Sequence, residues 1–268
     1  MTKITTAVEA IDAIAESVNG EGLDKKGVER LARYFREMVF KSPVSRNVEG
    51  VVPYWVGFCI DRDNPQNEPT RIEFSDNNNM FGVDGNNRHQ IQSAFVVPTR
   101  GDVTGPPLVE STLELENSEA FPKVVITSQL NGCTFAIGNI GDTYFMSHAQ
   151  PKAGETGSNL AQAIHSGPVK FQGNEALPST FLIHPGQTID EKSGLGYGDT
   201  QGGYRANILG LVVKKNSLLG LAAKKNISHS LCFIVAIIQG TDAIRRVMLV
   251  TQKNSKWKAR EVTNSLFS

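Results

Sequence analysis

Cys133 and His148 lie fifteen residues apart, and Thr127 precedes the cysteine by six. These are the residue types a covalent acyl-transfer site uses: a thiol to attack, an imidazole to take its proton and a third group to orient the ring. A free thiol has a pKa of about 8.5 and is mostly protonated at neutral pH, so the cysteine needs the imidazole beside it to become a thiolate. Thr127 can orient the ring through its hydroxyl or its backbone carbonyl. Backbone N–H groups of Gly132 and Cys133 are candidates for an oxyanion hole, since a glycine before the nucleophile lets a substrate approach closely.

Neighbouring strands must position this trio. In KVVITSQLNGCTFAIGNIGDTYFMSH, residues 123–148, a β-branched run (Val124, Val125, Ile126) leads into the turn-prone pair Asn131-Gly132. Cys133 then opens a new strand, Gly138, Asn139 and Gly141 mark a hairpin turn, and DTYFMSH is the return strand. Pairing across that turn brings His148 back towards the start of the strand that carries Cys133.

Other constellations offer less. Cys59 and Cys232 sit in apolar strand-like runs and read as plain buried thiols, and three scattered cysteines make neither a disulfide framework nor a zinc site. His89, His165, His184 and His229 are rival histidines without an obvious local partner. Asp61, Asp63, Asp76 and Asp84 lack the spacing of a calcium loop and read as turn residues. Gly194, Gly196 and Gly198 imitate a nucleotide fingerprint without its strand–helix frame, and read as a flexible loop at the mouth of the site. No metal and no cofactor are expected.

With 40% hydrophobic and 20% charged residues among 268, the composition is that of an ordinary globular protein, and formal net charge is zero. Charge is unevenly spread, however. From Arg205 onward eleven Lys and Arg face two acids, 11 − 2 = +9, leaving −9 before it. A basic segment of this kind reads as solvated loop and edge-strand lysines, or as a surface for an acidic partner. No run reaches the roughly 20 apolar residues of a membrane span, and the N-terminus lacks the order of a secretory signal.

The first forty residues are helical in pattern. Val8, Ile11, Ile14 and Ala15 recur at helical spacing, as do Val28, Leu31, Tyr34, Phe35 and Met38 after Asp24, a candidate N-cap. From Gly50 the pattern turns to strands: VVPYWVGFCI, TRIEFSD, HQIQSAFVV, LVESTLELE, VKFQ, STFLIH, YRANILGLVV, SLCFIVAII, RRVMLVTQ and WKAREV. A short helix is expected within Ser158–Ser166. The predicted organisation is an N-terminal helical segment over residues 1–48 and a β-rich catalytic domain over residues 49–268.

With Thr127 at minus six, the LNGC turn of Leu130 to Cys133, and a histidine one hairpin later, this stretch resembles the glutamine deamidases. That family includes the cytotoxic necrotizing factor catalytic domain, the Burkholderia lethal factor and the chemoreceptor glutamine deamidases. Its toxins carry Leu-Ser-Gly-Cys, and Asn131 stands here in place of the serine. YFMSHAQP is similar to the lethal factor strand that holds its catalytic histidine. ILGLVVKKNSLLGLAA and WKAREV loosely resemble the closing strands of the same toxin.

The resemblance is specific over about thirty residues and does not reach the first fifty. It implies an α+β fold, a β-sandwich core flanked by helices, with Cys133 as nucleophile, His148 as base and Thr127 as orienting residue. The implied activity is deamidation of a glutamine in a host protein, by analogy a Rho-type GTPase or a translation-initiation helicase, with transglutamination as a side activity. It further implies a monomeric bacterial toxin or effector, exported without an N-terminal signal peptide to act in host cytoplasm, with no nucleic acid partner. Two other classes stay open: a different cysteine hydrolase, a protease or amidase completed by His184, and a non-catalytic β-rich binding protein in which Cys133 is merely buried.

Overall fold

The computed structural model describes residues 4–19, 23–42, 48–59, 71–76, 89–104, 111–115, 122–166, 180–188, 194–215 and 228–263. The expected strand VKFQ, Asp61, Asp63 and Asp84 lie outside them.

Two amphipathic helices open the chain, α1 (Ala7–Asn19) and α2 (Lys25–Tyr34). Asp24 caps α2 as its side chain accepts the Gly27 N–H at 2.6 Å, which satisfies one of the donors a helix start leaves unpaired. Ile11, Ile14, Val28, Leu31 and Phe35 are buried, whereas Val8 is exposed. Both helices pack into one core with strands of the larger sheet, which gives them a structural role.

Fifteen strands follow among the described residues: β1 (Val39–Lys41), β2 (Gly50–Cys59), β3 (Arg71–Ser75), β4 (His89–Val97), β5 (Thr99–Val103), β6 (Ser111–Glu114), β7 (Val124–Thr127), β8 (Thr134–Ile140), β9 (Thr143–Pro151), β10 (Thr180–His184), β11 (Gly194–Gly196), β12 (Tyr204–Lys215), β13 (Ser228–Gln239), β14 (Ala243–Lys253) and β15 (Lys256–Glu261). Nine form a sheet in the order β1-β3-β2-β4-β7-β12-β13-β14-β15. Five more run β11-β10-β8-β9-β5, with β6 also paired to β9.

Alternation along the long strands explains the layering. On β13, Leu231, Phe233, Val235 and Ile237 face the smaller sheet, where Phe135, Met146, Phe181 and Ile183 meet them. Cys232, Ile234 and Ala236 face the other way, towards α1 and α2. Successive side chains point to opposite faces, so a strand buried on both reads as a continuous apolar run. Helix α3 (Gly157–Ser166) covers the outer side of the smaller sheet through Leu160 and Ile164, against Ala136, Phe145 and Leu182.

The α+β class expected from the resemblance does not hold. Among the described residues strands make up 58% and helices 17%, so the fold is sheet-dominated. Both sheets are mixed: β4–β7 and β1–β3 are parallel in the larger, β5–β9 and β10–β11 in the smaller. The helical periodicity of the N-terminus is real but short, and almost everything after it follows strand patterning.

Two passages of chain between the sheets matter for the site. Strand β4 of the larger sheet runs through Pro98 into β5 of the smaller. Strand β7 of the larger runs through residues 128–133 into β8 of the smaller. Thr127 ends one strand before such a passage and Cys133 precedes the strand after it.

Candidate active site

The β8–β9 hairpin is antiparallel with Phe135 opposite His148; its turn is Gly141-Asp142, so of the expected turn residues Gly141 forms the turn while Gly138 and Asn139 belong to β8. Gly141 takes a φ of +58°, the left-handed conformation that two-residue hairpin turns demand. Opposed residues share a face, so the His148 ring lies on the side of Phe135, which meets it edge-on with centroids 6.5 Å apart. Cys133, two residues before Phe135 and just ahead of β8, falls in the same inter-sheet core as Phe135.

Thr127 reaches the ring from the other sheet. Its Oγ1 lies 2.7 Å from His148 Nδ1 and donates to the Val97 carbonyl at 2.8 Å. A hydroxyl has one proton, and Val97 takes it, so the remaining partner must donate: Nδ1 carries the hydrogen and Nε2 keeps its lone pair. Nε2 is buried and has no hydrogen-bond partner among the described residues. Thr99 and Ser128 bond each other through their hydroxyls at 2.6 Å and both stand 3.4 Å from Nδ1, a polar collar around the same nitrogen.

His148 is fully buried, and loss of hydration alone pushes its pKa down to about 3. The resting ring is neutral. It can hold a second proton only when an anion forms beside it, as happens when a thiol gives up its proton in the act of attack.

The cysteine sits on a stapled turn. Leu130 exchanges two backbone bonds with Ala206 of β12, at 2.8 and 3.0 Å. Gly132 has a φ of +83°, so a residue free to adopt left-handed backbone is needed there. The Tyr197 hydroxyl accepts the Gly132 N–H and donates to the Cys133 carbonyl, both at 3.0 Å. Burial raises the pKa of that hydroxyl, and the neighbouring Cys133, where ionised, raises it further, so the phenol stays a neutral bridge. The Gly132 N–H expected in an oxyanion hole is thus already engaged by Tyr197. Cys133 itself is 7% exposed, with Sγ 3.9 Å from the Asn131 carbonyl.

The glycine-rich segment begins as a strand. Gly194–Gly196 form β11, paired to β10, and a Cβ on Gly196 would fall 2.4 Å from the backbone around Gln187. This tight packing delivers Tyr197 to the turn. Helix α3 closes the other side: a Cβ on Gly157 would fall 2.1 Å from the Gly132 carbonyl.

The rival residues stand on other elements, His184 on the strand β10 that pairs with β8. His184 is buried, its Nδ1 donating to the Pro185 carbonyl at 2.8 Å, and its Nε2 lies beside Gly194. His165 closes α3, His229 lies on β13, and His89 opens β4. Cys59 and Cys232 are buried thiols pushed up to about 12, mainly by loss of hydration. No group of three or more His, Cys, Asp or Glu among the described residues is arranged to hold a metal, and no described helix is long and apolar enough to cross a membrane. Sequence reasoning missed Val97, Thr99, Ser128 and Tyr197. Only Ser128, adjacent to Thr127, carried a local signal.

The arrangement is a thiol, a neutral imidazole with one fixed tautomer, and a hydroxyl that fixes it, held at the passage between two sheets. No protein-family model matches the chain, and no curated protein matches it. Among solved structures, the C-terminal domain of CNFy from Yersinia pseudotuberculosis is similar over 86% of this chain and 100% of that chain, at 9% identity and a TM-score of 0.41. This is a distant likeness, and the chemistry of the site stands on its own residues.

Proposed function

We propose that the chain is a protein glutamine deamidase of the bacterial toxin or effector kind, with Cys133 as nucleophile, His148 as general base and acid, and Thr127 as its orienting partner. The observation that carries this reading is the Thr127–His148 bond, which leaves a buried, unpartnered Nε2 on the face of the hairpin that Cys133 shares. In this scheme Nε2 takes the Cys133 proton as sulfur attacks the side-chain amide carbon. The imidazolium returns that proton to the departing nitrogen, and ammonia leaves behind a thioester. Water, deprotonated by the same Nε2, hydrolyses the thioester to glutamate and restores the thiol. An amine in place of water gives transglutamination.

Burial favours a side-chain amide over a peptide bond. With Cys133 7% exposed and His148 fully buried, the tip of a long thin side chain reaches the sulfur more readily than a polypeptide backbone does. Conversion of a neutral amide to a carboxylate removes two donors and adds a charge, enough to disable a glutamine that works by hydrogen bonding.

The test is peptide mass analysis of host lysate proteins exposed to the wild type and to Cys133→Ala. The expected result is a gain of about 1 Da at a defined glutamine, replacement of NH₂ by OH in the hydrolysis step, absent with Cys133→Ala and with His148→Ala. Persistence of the mass change in either variant overturns the assignment.

A further inference from the structure

A cavity of about 520 Å³ lies directly against the nucleophile turn, lined by Lys41, Asn131, Thr200, Arg205 and Asp242 among others. Asn131 belongs both to the cavity wall and to the turn, and its carbonyl lies 3.9 Å from the Cys133 thiol. A polypeptide strand advances about 3.3 Å per residue. A chain whose glutamine enters past Asn131 runs its flanking residues along this cavity.

The charges of the cavity are unbalanced. Lys41 Nζ lies 3.0 Å from Asp242, and Arg205 lies 3.9 Å from the same carboxylate. Two cations against one anion leave 2 − 1 = +1. Arg205 directs its other N–H groups to the Gln129 side-chain oxygen at 3.3 Å and to the Gly240 carbonyl. The side chains of Lys41 and Arg205 are each 25% exposed, and that of Asp242 31%, so all three are open to an incoming group. Asp242 sits at a φ of +138°, a conformation that side-chain-bearing residues rarely adopt, in the β13–β14 turn.

We propose that this cavity is the subsite for the substrate polypeptide around the target glutamine, and that Lys41 and Arg205 select substrates with Asp or Glu within a few residues of it. An incoming carboxylate shares Lys41 and Arg205 with Asp242, whose contact with Arg205 is the longer one. The proposal rests on the reading of Cys133 as nucleophile for the place where the glutamine enters.

The test uses the full chain carrying Cys133→Ser, which binds without turnover. Fluorescein-labelled peptides with a central glutamine flanked on both sides by Glu, by Gln or by Lys are titrated by anisotropy at low and high NaCl. Glu-flanked peptides are expected to bind at least about fivefold tighter than Gln-flanked ones, and Lys-flanked ones weakest, with the spread shrinking as salt screens the charges. Lys41→Gln and Arg205→Gln each cut the Glu preference about threefold, whereas Asp242→Asn, which frees both cations, increases it. The opposite signs separate charge selection from general damage, and Lys41→Gln carries the test should Arg205→Gln not fold. Equal behaviour of the three peptides at low salt, bound or unbound, overturns the proposal, as does an undiminished preference in Lys41→Gln. Acidic selection without deamidation by the wild type leaves the subsite standing and removes the nucleophile reading. Deamidation that ignores flanking charge does the reverse.

Discussion

Thr127 has a single hydroxyl proton, and its destination decides which nitrogen of His148 can act as a base. Because Val97 accepts that proton, the imidazole must donate from Nδ1 and keep its lone pair on Nε2. A valine at this position preserves the shape of threonine but offers Nδ1 no acceptor, so the ring loses its preferred tautomer. Thr127→Val is therefore expected to lower the deamidation kcat about tenfold or more with little change in KM. Thr127→Ser, which restores the hydroxyl, should recover most of the rate. Steady-state kinetics on any substrate found by mass analysis reads both, and equal kcat in Val and wild-type proteins would show that the hydroxyl sets only packing. Tyr197 acts through the turn instead: its hydroxyl is a positioning group that joins Gly132 to the Cys133 carbonyl.

At the scale of elements, the nucleophile turn is gripped between β12, the β11 segment and the start of α3. Gly157→Ala tests that grip, because its new Cβ meets the Gly132 carbonyl at 2.1 Å and Pro185 Cγ at 2.4 Å. The backbone must shift, at a cost of about 1–3 kcal/mol, and the shift falls on the turn that carries Cys133. Thermal and denaturant unfolding should show the loss, accompanied by a fall in activity out of proportion to it. Asp24→Ala is the contrast: it removes the α2 cap for about 1 kcal/mol and leaves the rate unchanged, since α2 packs on the far face of the larger sheet. A Gly157→Ala protein that is less stable but equally active would dissociate α3 from the turn. The hairpin and the α2 cap were legible in the sequence because turn glycines, strand alternation and an N-cap are local signals. Val97 and Tyr197 were not, because they reach the site across 30 and 64 residues of chain. The close packing of Gly196 and Gly198 was not legible for the same reason: only the folded chain reveals what their smallness meets.

For the molecule as a whole, strand patterning predicted most of the sheet content, but the helical share was overstated by the α+β class, and the assignment of strands to two mixed sheets has no local signature. Whether β4 continues in its sheet or passes through Pro98 into the other is decided by packing, and that passage builds the site. Burying a histidine in the core this creates has a cost that depends on pH. The unfolded chain binds a proton at His148 near the ordinary value of about 6.5, whereas the folded chain resists until about 3. Above about 6.5 neither state is protonated and stability is full. As pH falls from there towards 3 the unfolded state gains protons first, and stability drains by up to roughly 5 kcal/mol. His184, lowered by burial too, adds to the same slope. Urea midpoints measured from pH 7.5 down to 4 should therefore fall steeply for the wild type and less steeply for His148→Asn, which can still donate to Thr127 but does not titrate. Parallel curves for the two proteins would mean that His148 is hydrated and titrates normally. A ring protonated near 6.5 would leave no unpartnered Nε2 lone pair to take the proton of Cys133 below that pH.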